Sequence, residues 1–310
     1  MKILHLGLCV SPPPINGLQK AFIENSSEYA ELNCGHPDFN NEVLKLSSSF
    51  KPDLVFMQIQ AANIIQKQTV QALRINGAFV VNWNGDVRDD IPAWMLGTDS
   101  DLTLFSNMRD VHAAIAHGLK SDFLEIGYNP EIYCPDGILR PSHDIVFFGN
   151  NYGTQFPLSY YRNEMVKYLK GAFGDQFGVY GNGWQNADGN FNQSQESEAE
   201  AYRSAKVAIN CSHYDIERYS SDRIFRILGT GRPLCMARTY KGIEEDFEHG
   251  KHLITWTEFG DLEAKIRHYL KSENEREFIV KNGNNLAKEK FTFDCMIKNL
   301  IKLYEKYKTI

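Results

Sequence analysis

The feature that most constrains this chain is a series of short, uninterrupted apolar runs, each followed by a stretch of helical periodicity. Leu54–Met57, Ala78–Val81, Ile145–Phe148 and Val207–Ile209 are the clearest. A strand with one wet face alternates apolar and polar residues, whereas a strand covered on both faces reads as a continuous apolar run. Strands of the second kind, alternating with helices, predict an α/β fold with parallel sheets sandwiched between helices. At 310 residues the chain exceeds what one core usually organises. The alternation restarts at Asp144 after a connector punctuated by Pro130, Pro135, Gly137 and Pro141. Two parallel-sheet domains joined near residue 140 are therefore expected.

In the first half, Lys2–Leu8 reads as a strand entering a proline-rich loop, with Gly17 beyond it but no Gly-x-Gly-x-x-Gly, so a dinucleotide fingerprint is absent there. Helical stretches are expected around Leu18–Leu32, Phe39–Phe50 and Ile64–Ile75. The strand Ala78–Trp83 ends in Asn84, Gly85 and Asp86. Ligands of open parallel sheets bind outside the carboxyl ends of strands, so Asp86 is either a reacting carboxylate or the cap of a turn. In the second half, Gly149 and Asn150 follow one strand, and Gly181, Asn182, Gly183 and Trp184 follow Tyr180 at the end of another. Glycines there let backbone N–H groups approach a phosphate. Trp184 either stacks on a base or packs at the rim. His213, after the strand Val207–Asn210, is either a donor to a phosphate or sugar or a structural histidine.

The stretch from Tyr214 to Ala237 reads as polar loop, helix, tight turn and strand. Ser220 and Ser221 precede Ile224, Phe225, Ile227 and Leu228, so a hydroxyl cap opens an amphipathic helix that Gly229, Gly231 and Pro233 stop. The start of a helix carries unpaired N–H groups and partial positive charge, and Arg223 adds a full one. That combination suits a phosphate, the alternative being that Arg223 pairs with Asp222 or Glu217.

The formal net charge of -6 argues against broad electrostatic binding of nucleic acid. Six scattered cysteines, without a Cys-x-x-Cys or a histidine pair at ligand spacing, read as free thiols in a reducing, cytoplasmic setting and not as a zinc site. The apolar start is too short for a signal peptide or a membrane span.

Three stretches together resemble the nucleotide-sugar-binding half of the two-domain group 1 glycosyltransferases of GT-B type, in their spore-maturation-protein-like branch. They are Ile145–Gly149 with Arg162 in the next helix, Tyr180–Trp184, and Ser221–Pro233; Gly242–Gly250 and Leu262–Leu270 also fit. The resemblance implies two Rossmann-like domains with the active site in the cleft between them, residues 1–140 on the acceptor side and 141–292 binding the donor, with a C-terminal helix, 293–310, crossing back to the first domain. It implies a diphosphate held by Gly149, Asn150, Ser221 and Arg223, and a nucleotide, UDP or GDP, recognised near Tyr180–Trp184 and Asp215–Glu217. Many relatives place a donor-binding glutamate where this chain has Arg226. Either Glu217 or Asp215 takes over, or Arg226 turns into a salt bridge.

Such enzymes as a rule need no metal, and no cofactor beyond the nucleotide-sugar co-substrate is expected. Asp99 and Asp101 precede a strand instead of ending one, so they read as a turn. Asp86 is the candidate base if configuration inverts and an acceptor-orienting group if it is retained. The acceptor is left open among glycan, protein, small molecule and hydroxymethylated DNA base, the last requiring Arg88, Arg109 and Lys120 to line a basic groove. A binding module without transfer activity is the remaining alternative. In the last helix Phe293, Met296, Ile297, Leu300, Ile301 and Tyr304 form one apolar face.

Overall fold

The computed structural model describes residues 1–7, 17–87, 99–139, 143–189 and 194–309. The chain divides into two compact units, Met1–Ile126 with the segment from Phe293 onward, and Gly127–Thr292. Each contains one sheet, and all its described strand pairs are parallel.

The first sheet has β1 (Lys2–Gly7), β2 (Glu28–Asn33), β3 (Leu54–Met57), β4 (Phe79–Asn84), β5 (Leu102–Phe105) and β6 (Ser121–Phe123), in the order β2-β1-β3-β4-β5-β6. Its described helices are α1 (Gly17–Asn25), α2 (Phe39–Phe50), α3 (Lys67–Ile75) and α4 (Met108–Ala116), with α10 (Phe293–Tyr307) added from the far end of the chain. Successive strand residues feed opposite faces. Ile3, Leu54, Phe56, Val81 and Trp83 pack with Phe22 of α1 and with Met296, Ile297 and Leu300 of α10. Leu4, Val55, Met57 and Val80 pack with Val43 of α2 and Val70 and Leu73 of α3. Both faces are covered, which is why these strands are continuously apolar.

One element differs from expectation. The helix placed over Leu18–Leu32 stops at Asn25, and Glu28–Asn33 is an edge strand paired with β1 from Lys2↔Glu28 to Gly7↔Asn33. A half-buried edge strand carrying Glu28, Glu31 and Asn33 has no apolar run to announce it, so pairing decides its conformation.

The second sheet has β7 (Ile145–Phe148), β8 (Phe177–Tyr180), β9 (Val207–Asn210), β10 (Leu234–Arg238) and β11 (Ile254–Trp256), in the order β11-β10-β9-β7-β8. Its helices are α5 (Ser159–Phe173), α6 (Gln195–Ser204), α7 (Asp222–Thr230), α8 (Phe259–Lys271) and α9 (Glu273–Lys290). The unit begins before residue 140 because its connector is fastened to it. Tyr128 N–H donates to Phe291 O at 2.9 Å, and Arg203 donates to the carbonyls of Ile132, Cys134 and Ile138.

From β7 the chain moves outward to β8, and from β9 it moves the other way to β10, so the strand order reverses between β7 and β9. In open parallel sheets the crevice at such a reversal, at the carboxyl ends of the strands, is the usual ligand site.

Candidate anion site in the second unit

The carboxyl ends of β7 and β9 deliver Gly149 and Cys211–His213, and α5 and α7 supply the charges. Arg162 lies on the inward stripe of α5 with Met165, Val166 and Leu169, and it is 1% exposed. Its Nη2 donates to Asn150 O at 3.3 Å and its guanidinium lies 5.2 Å from the Phe147 ring centroid, while Nε and Nη1 have no partner. Gly149 makes room for it: a Cβ there would stand 2.2 Å from Arg162 Nη2.

Arg223, in the first turn of α7, is 3.8 Å from Asp222 Oδ1, a long ion pair, and its Nε is buried without a partner. The Nδ1 of His213 is also buried and unpartnered, with the ring against Tyr152 and Phe156. Burial, reinforced by the like charge of Arg223, pushes the Arg162 pKa down to about 9. Burial and then Arg162 and Arg223 push His213 down to about 3, so the imidazole is neutral at pH 7. A buried cation without a counter-ion costs several kcal/mol, order of magnitude. The arrangement is a set of donors lacking an acceptor, and an anion with several oxygens would satisfy them.

The two glycine loops are joined to each other. Gly149 N–H donates to Tyr180 O at 2.9 Å, Asn151 N–H to Asn182 O at 2.8 Å and Asn182 N–H to Asn150 Oδ1 at 2.9 Å. A Cβ on Gly181 would meet Gly149 O at 2.3 Å, so glycine is required for the loops to close. The Gly149 N–H is thus spent on this joint and is not a phosphate donor. Asn150 likewise commits its side chain to Asn182 and to Tyr152 OH. Tyr180 is turned into the core, 7% exposed and stacked on Phe148, because its ring completes the packing at the sheet's end. Trp184 packs edge-on to Phe147 and donates Nε1–H to Gly149 O at 2.7 Å.

The cap also differs from expectation. Ser221 is the residue before α7 but makes no capping hydrogen bond, its hydroxyl reaching only Asp222 Oδ1 at 3.5 Å. Ser220 is buried against Tyr240 OH at 2.6 Å. Asp215 pairs with Arg238 at 2.9 Å and Glu217 with Lys241 at 3.0 Å. Arg226 turns into a salt bridge: Nη1 meets Glu198 Oε2 at 3.0 Å, Nη2 meets Asp222 Oδ2, and the guanidinium lies over the Tyr133 ring. Burial would raise the Asp222 pKa, but Arg226 and Arg223 hold it below the usual carboxylate range.

Arg162 entered the sequence reading only through the resemblance, and Glu198 and Tyr202 did not enter it at all. Only Arg162 leaves a signal, as a charged group on the apolar stripe of its helix; the helix of Glu198 and Tyr202 is largely polar and its buried residues run consecutively.

In the first unit, Asp86 lies just beyond β4 and is exposed. Beside it Asn84 is fully buried with neither amide atom partnered. Asp99 and Asp101 are clamped by Arg74 at 3.2 and 2.7 Å, and Asp101 also accepts Val80 N–H at 2.8 Å, so both serve a turn. Arg109 pairs with the buried Asp110, Lys120 is exposed, and Arg88 lies outside the described residues. No helix among the described residues is long and apolar enough to cross a membrane.

Residues 162–302 match the family model described as glycosyl transferase-like, a match that starts at Arg162 and covers α7. A comparison with curated proteins finds no match. Among solved structures, HepE of Anabaena in complex with UDP and glucose superposes with TM-score 0.66 at 12% identity, over 99% of this chain and all of that one. A glycosyltransferase from Rickettsia africae gives TM-score 0.69 at 12% identity over 99% of this chain and 98% of that one. The sucrose-phosphate synthase of Thermosynechococcus elongatus gives TM-score 0.59 at 12% identity over 87% and 77%. The expected fold, two parallel-sheet α/β units as in GT-B glycosyltransferases, is shared with these structures. The expectation of a glycosyltransferase-type enzyme is met by the family match, which falls on the stretch that carries the cationic site.

Proposed function

We propose that this protein, as a member of the spore-maturation-protein-like branch, transfers a sugar from a nucleoside diphosphate sugar to an acceptor hydroxyl. In this reading the diphosphate sits on Arg162, Arg223 and the start of α7, with His213 beside it. The observation that carries it is the buried Arg162, with two guanidinium nitrogens unpartnered at the point where strand order reverses. A UDP sugar is the first donor to try, since HepE is a complex with UDP and glucose on the same fold.

In the reaction, the bond from the anomeric carbon to the β-phosphate oxygen breaks and its electron pair leaves on the diphosphate, whose new charge the two arginines stabilise. The acceptor oxygen bonds the anomeric carbon and gives up its proton, to Asp86 if configuration inverts. If configuration is retained, Asp86 orients the hydroxyl. The arginines supply the charge a divalent cation would otherwise bring, so transfer proceeds without added metal.

Titration calorimetry with UDP, GDP and their sugars in EDTA, followed by turnover with candidate acceptors, tests this. Micromolar binding of one nucleotide in EDTA, lost in Arg223→Ala with the fold intact, is expected. Binding of no nucleoside diphosphate, or binding only with added metal, would overturn it. Donor binding that never leads to transfer with any acceptor class would instead leave a binding module.

A further inference from the structure

Glu198 and Tyr202 stand one turn apart on the inward face of α6. Tyr202 is 1% exposed, its ring is 4.7 Å from that of Phe148 at the end of β7, and its hydroxyl has no partner. Glu198 is 7% exposed. Its Oε2 accepts from Tyr133 OH at 2.8 Å and from Arg226 Nη1 at 3.0 Å, while Oε1 is buried and accepts nothing. The carboxylate is therefore fixed by one oxygen and idle at the other. Leaving a buried acceptor unpaired is costly, and so is an idle buried hydroxyl.

The pair adjoins the cationic site. Arg226 links Glu198 to Asp222 in the first turn of α7, and Tyr202 feels the charges of Glu198 and Arg223 together. The orphaned groups around the start of α7 thus divide by chemistry. Arg162 and Arg223 offer N–H donors and positive charge, which suit phosphate oxygens. Glu198 Oε1 repels an anion and accepts a hydrogen bond, and the Tyr202 hydroxyl both donates and accepts. Two neighbouring hydroxyls on a ring attached to a phosphate would satisfy them.

We propose that Glu198 and Tyr202 form a hydroxyl-binding subsite that takes vicinal hydroxyls of the donor, from either its ribose or its transferred sugar. This rests on the diphosphate reading of the cationic site. It makes Glu198 the carboxylate that recognises the donor, with Arg226 and Tyr133 as positioning residues that hold it.

The test is calorimetry on wild type, Tyr202→Phe and Glu198→Gln with inorganic pyrophosphate, UDP, 2′-deoxy-UDP and UDP-glucose, with GDP counterparts in parallel. Pyrophosphate affinity is expected to stay within about twofold in both variants. If ribose is the ligand, each variant weakens UDP or GDP by about tenfold and has no effect on the 2′-deoxy form. If the transferred sugar is the ligand, nucleotide affinity is unchanged and nucleotide-sugar affinity falls by about tenfold. The proposal is overturned if both variants, still folded by thermal scan, bind every nucleotide and sugar as wild type does, or if they lose pyrophosphate equally. Wild type that fails to bind pyrophosphate and nucleotide alike would instead overturn the diphosphate reading beneath it.

Discussion

Replacing Arg162 by methionine separates a binding role from a structural one, because the two predict opposite signs for stability. The substitution forfeits one long hydrogen bond to Asn150 O, at 3.3 Å, and the contact with the Phe147 ring. It also removes a buried cation with two unpartnered nitrogens, whose desolvation is uncompensated in the free protein. Exchanging buried charge for apolar volume is typically neutral to stabilising by about 1–4 kcal/mol. Taking about 1–3 kcal/mol, the melting temperature of the free protein should stay or rise by about 3–10 °C. With a diphosphate bound, the two nitrogens would make charge-assisted hydrogen bonds worth about 1.5–3 kcal/mol each. Their loss, about 3–6 kcal/mol, weakens the nucleotide by about 10²–10⁴-fold. Because burial pushes the Arg162 pKa down to about 9, the wild type stays charged at pH 7, and its affinity should decline above that value. Differential scanning fluorimetry and calorimetry with UDP, GDP and pyrophosphate read both quantities. A melting temperature lowered by more than about 5 °C with unchanged affinity would refute the reasoning and make Arg162 a strut for the Asn150 loop.

Other perturbations have equally definite outcomes. His213 has a pKa of about 3 in the free protein and should gain protons beside a bound anion, so affinity should rise as pH falls from about 7 to 5 beyond the ligand's own titration, and His213→Asn should flatten that rise. Since its folded pKa is depressed, the unfolded chain binds more protons between about pH 3 and 6.5, stability falls on acidification through that window, and His213→Asn should lessen the loss in acid titrations of folding. Gly181→Ala places a Cβ 2.3 Å from Gly149 O at a φ of 145°, so thermal scans should show a loss of about 1–3 kcal/mol and calorimetry a weaker nucleotide. Asp86→Asn should cut turnover by about 10²–10⁴-fold in rate assays with affinity and melting temperature unchanged, a result that unchanged turnover would refute. Ending the chain at Thr292 removes the buried Met296, Ile297 and Leu300, about 5–9 kcal/mol of burial and comparable to a domain's whole stability. Hydrogen exchange should then show the first unit unprotected and residues 127–292 protected, and protection of both would refute it.

The fold was legible wherever burial on both faces left a continuous apolar run, as in Leu54–Met57 and Ile145–Phe148. It was illegible at the edge strand Glu28–Asn33, which is half-buried and gains its conformation from β1. The apolar face of the last helix was plain, but what it covers depends on a contact between residues far apart in sequence, Met296 with Phe22 and Ile3. At the site, the glycines and the start of α7 were legible, but what each group spends its hydrogen bonds on was not. Gly149 reads as a ligand contact because it follows a strand and Tyr180 because of the resemblance, yet the first joins two loops and the second fills the core, and Gly149 matters by the side chain it lacks. Arg162 was hidden because a polar residue on an apolar helical stripe shows only that some partner must exist, and Glu198 and Tyr202 because their helix is largely polar and does not announce that it is buried. Whether that partner is protein or ligand depends on what the fold brings beside it.

The two units use the same reversal of strand order with different chemistry. In the first unit the reversal falls between β1 and β3, at Gly7 and Gln58. Polar groups near it satisfy one another, the buried His5 and the half-buried Gln58, Tyr29 and Glu31: His5 Nε2 lies 2.7 Å from Gln58 Oε1, His5 Nδ1 is 3.1 Å from Tyr29 OH, and Tyr29 donates to Glu31 at 2.6 Å. Burial lowers the pKa of His5, which favours a neutral ring among neutral and acidic partners. One pair of unpartnered polar atoms in that unit lies one strand further on, at the buried amide of Asn84 beside the exposed carboxylate of Asp86, a pairing suited to a neutral hydroxyl that must lose a proton. In the second unit the reversal gathers the guanidinium groups of Arg162 and Arg223, with buried nitrogens that have no partner, and, next to them, an oxygen and a hydroxyl without partners. On the proposed reading, the unit that would take a diphosphate and a diol is the one whose free state leaves buried polar groups unpaired, and donor binding would relieve that cost.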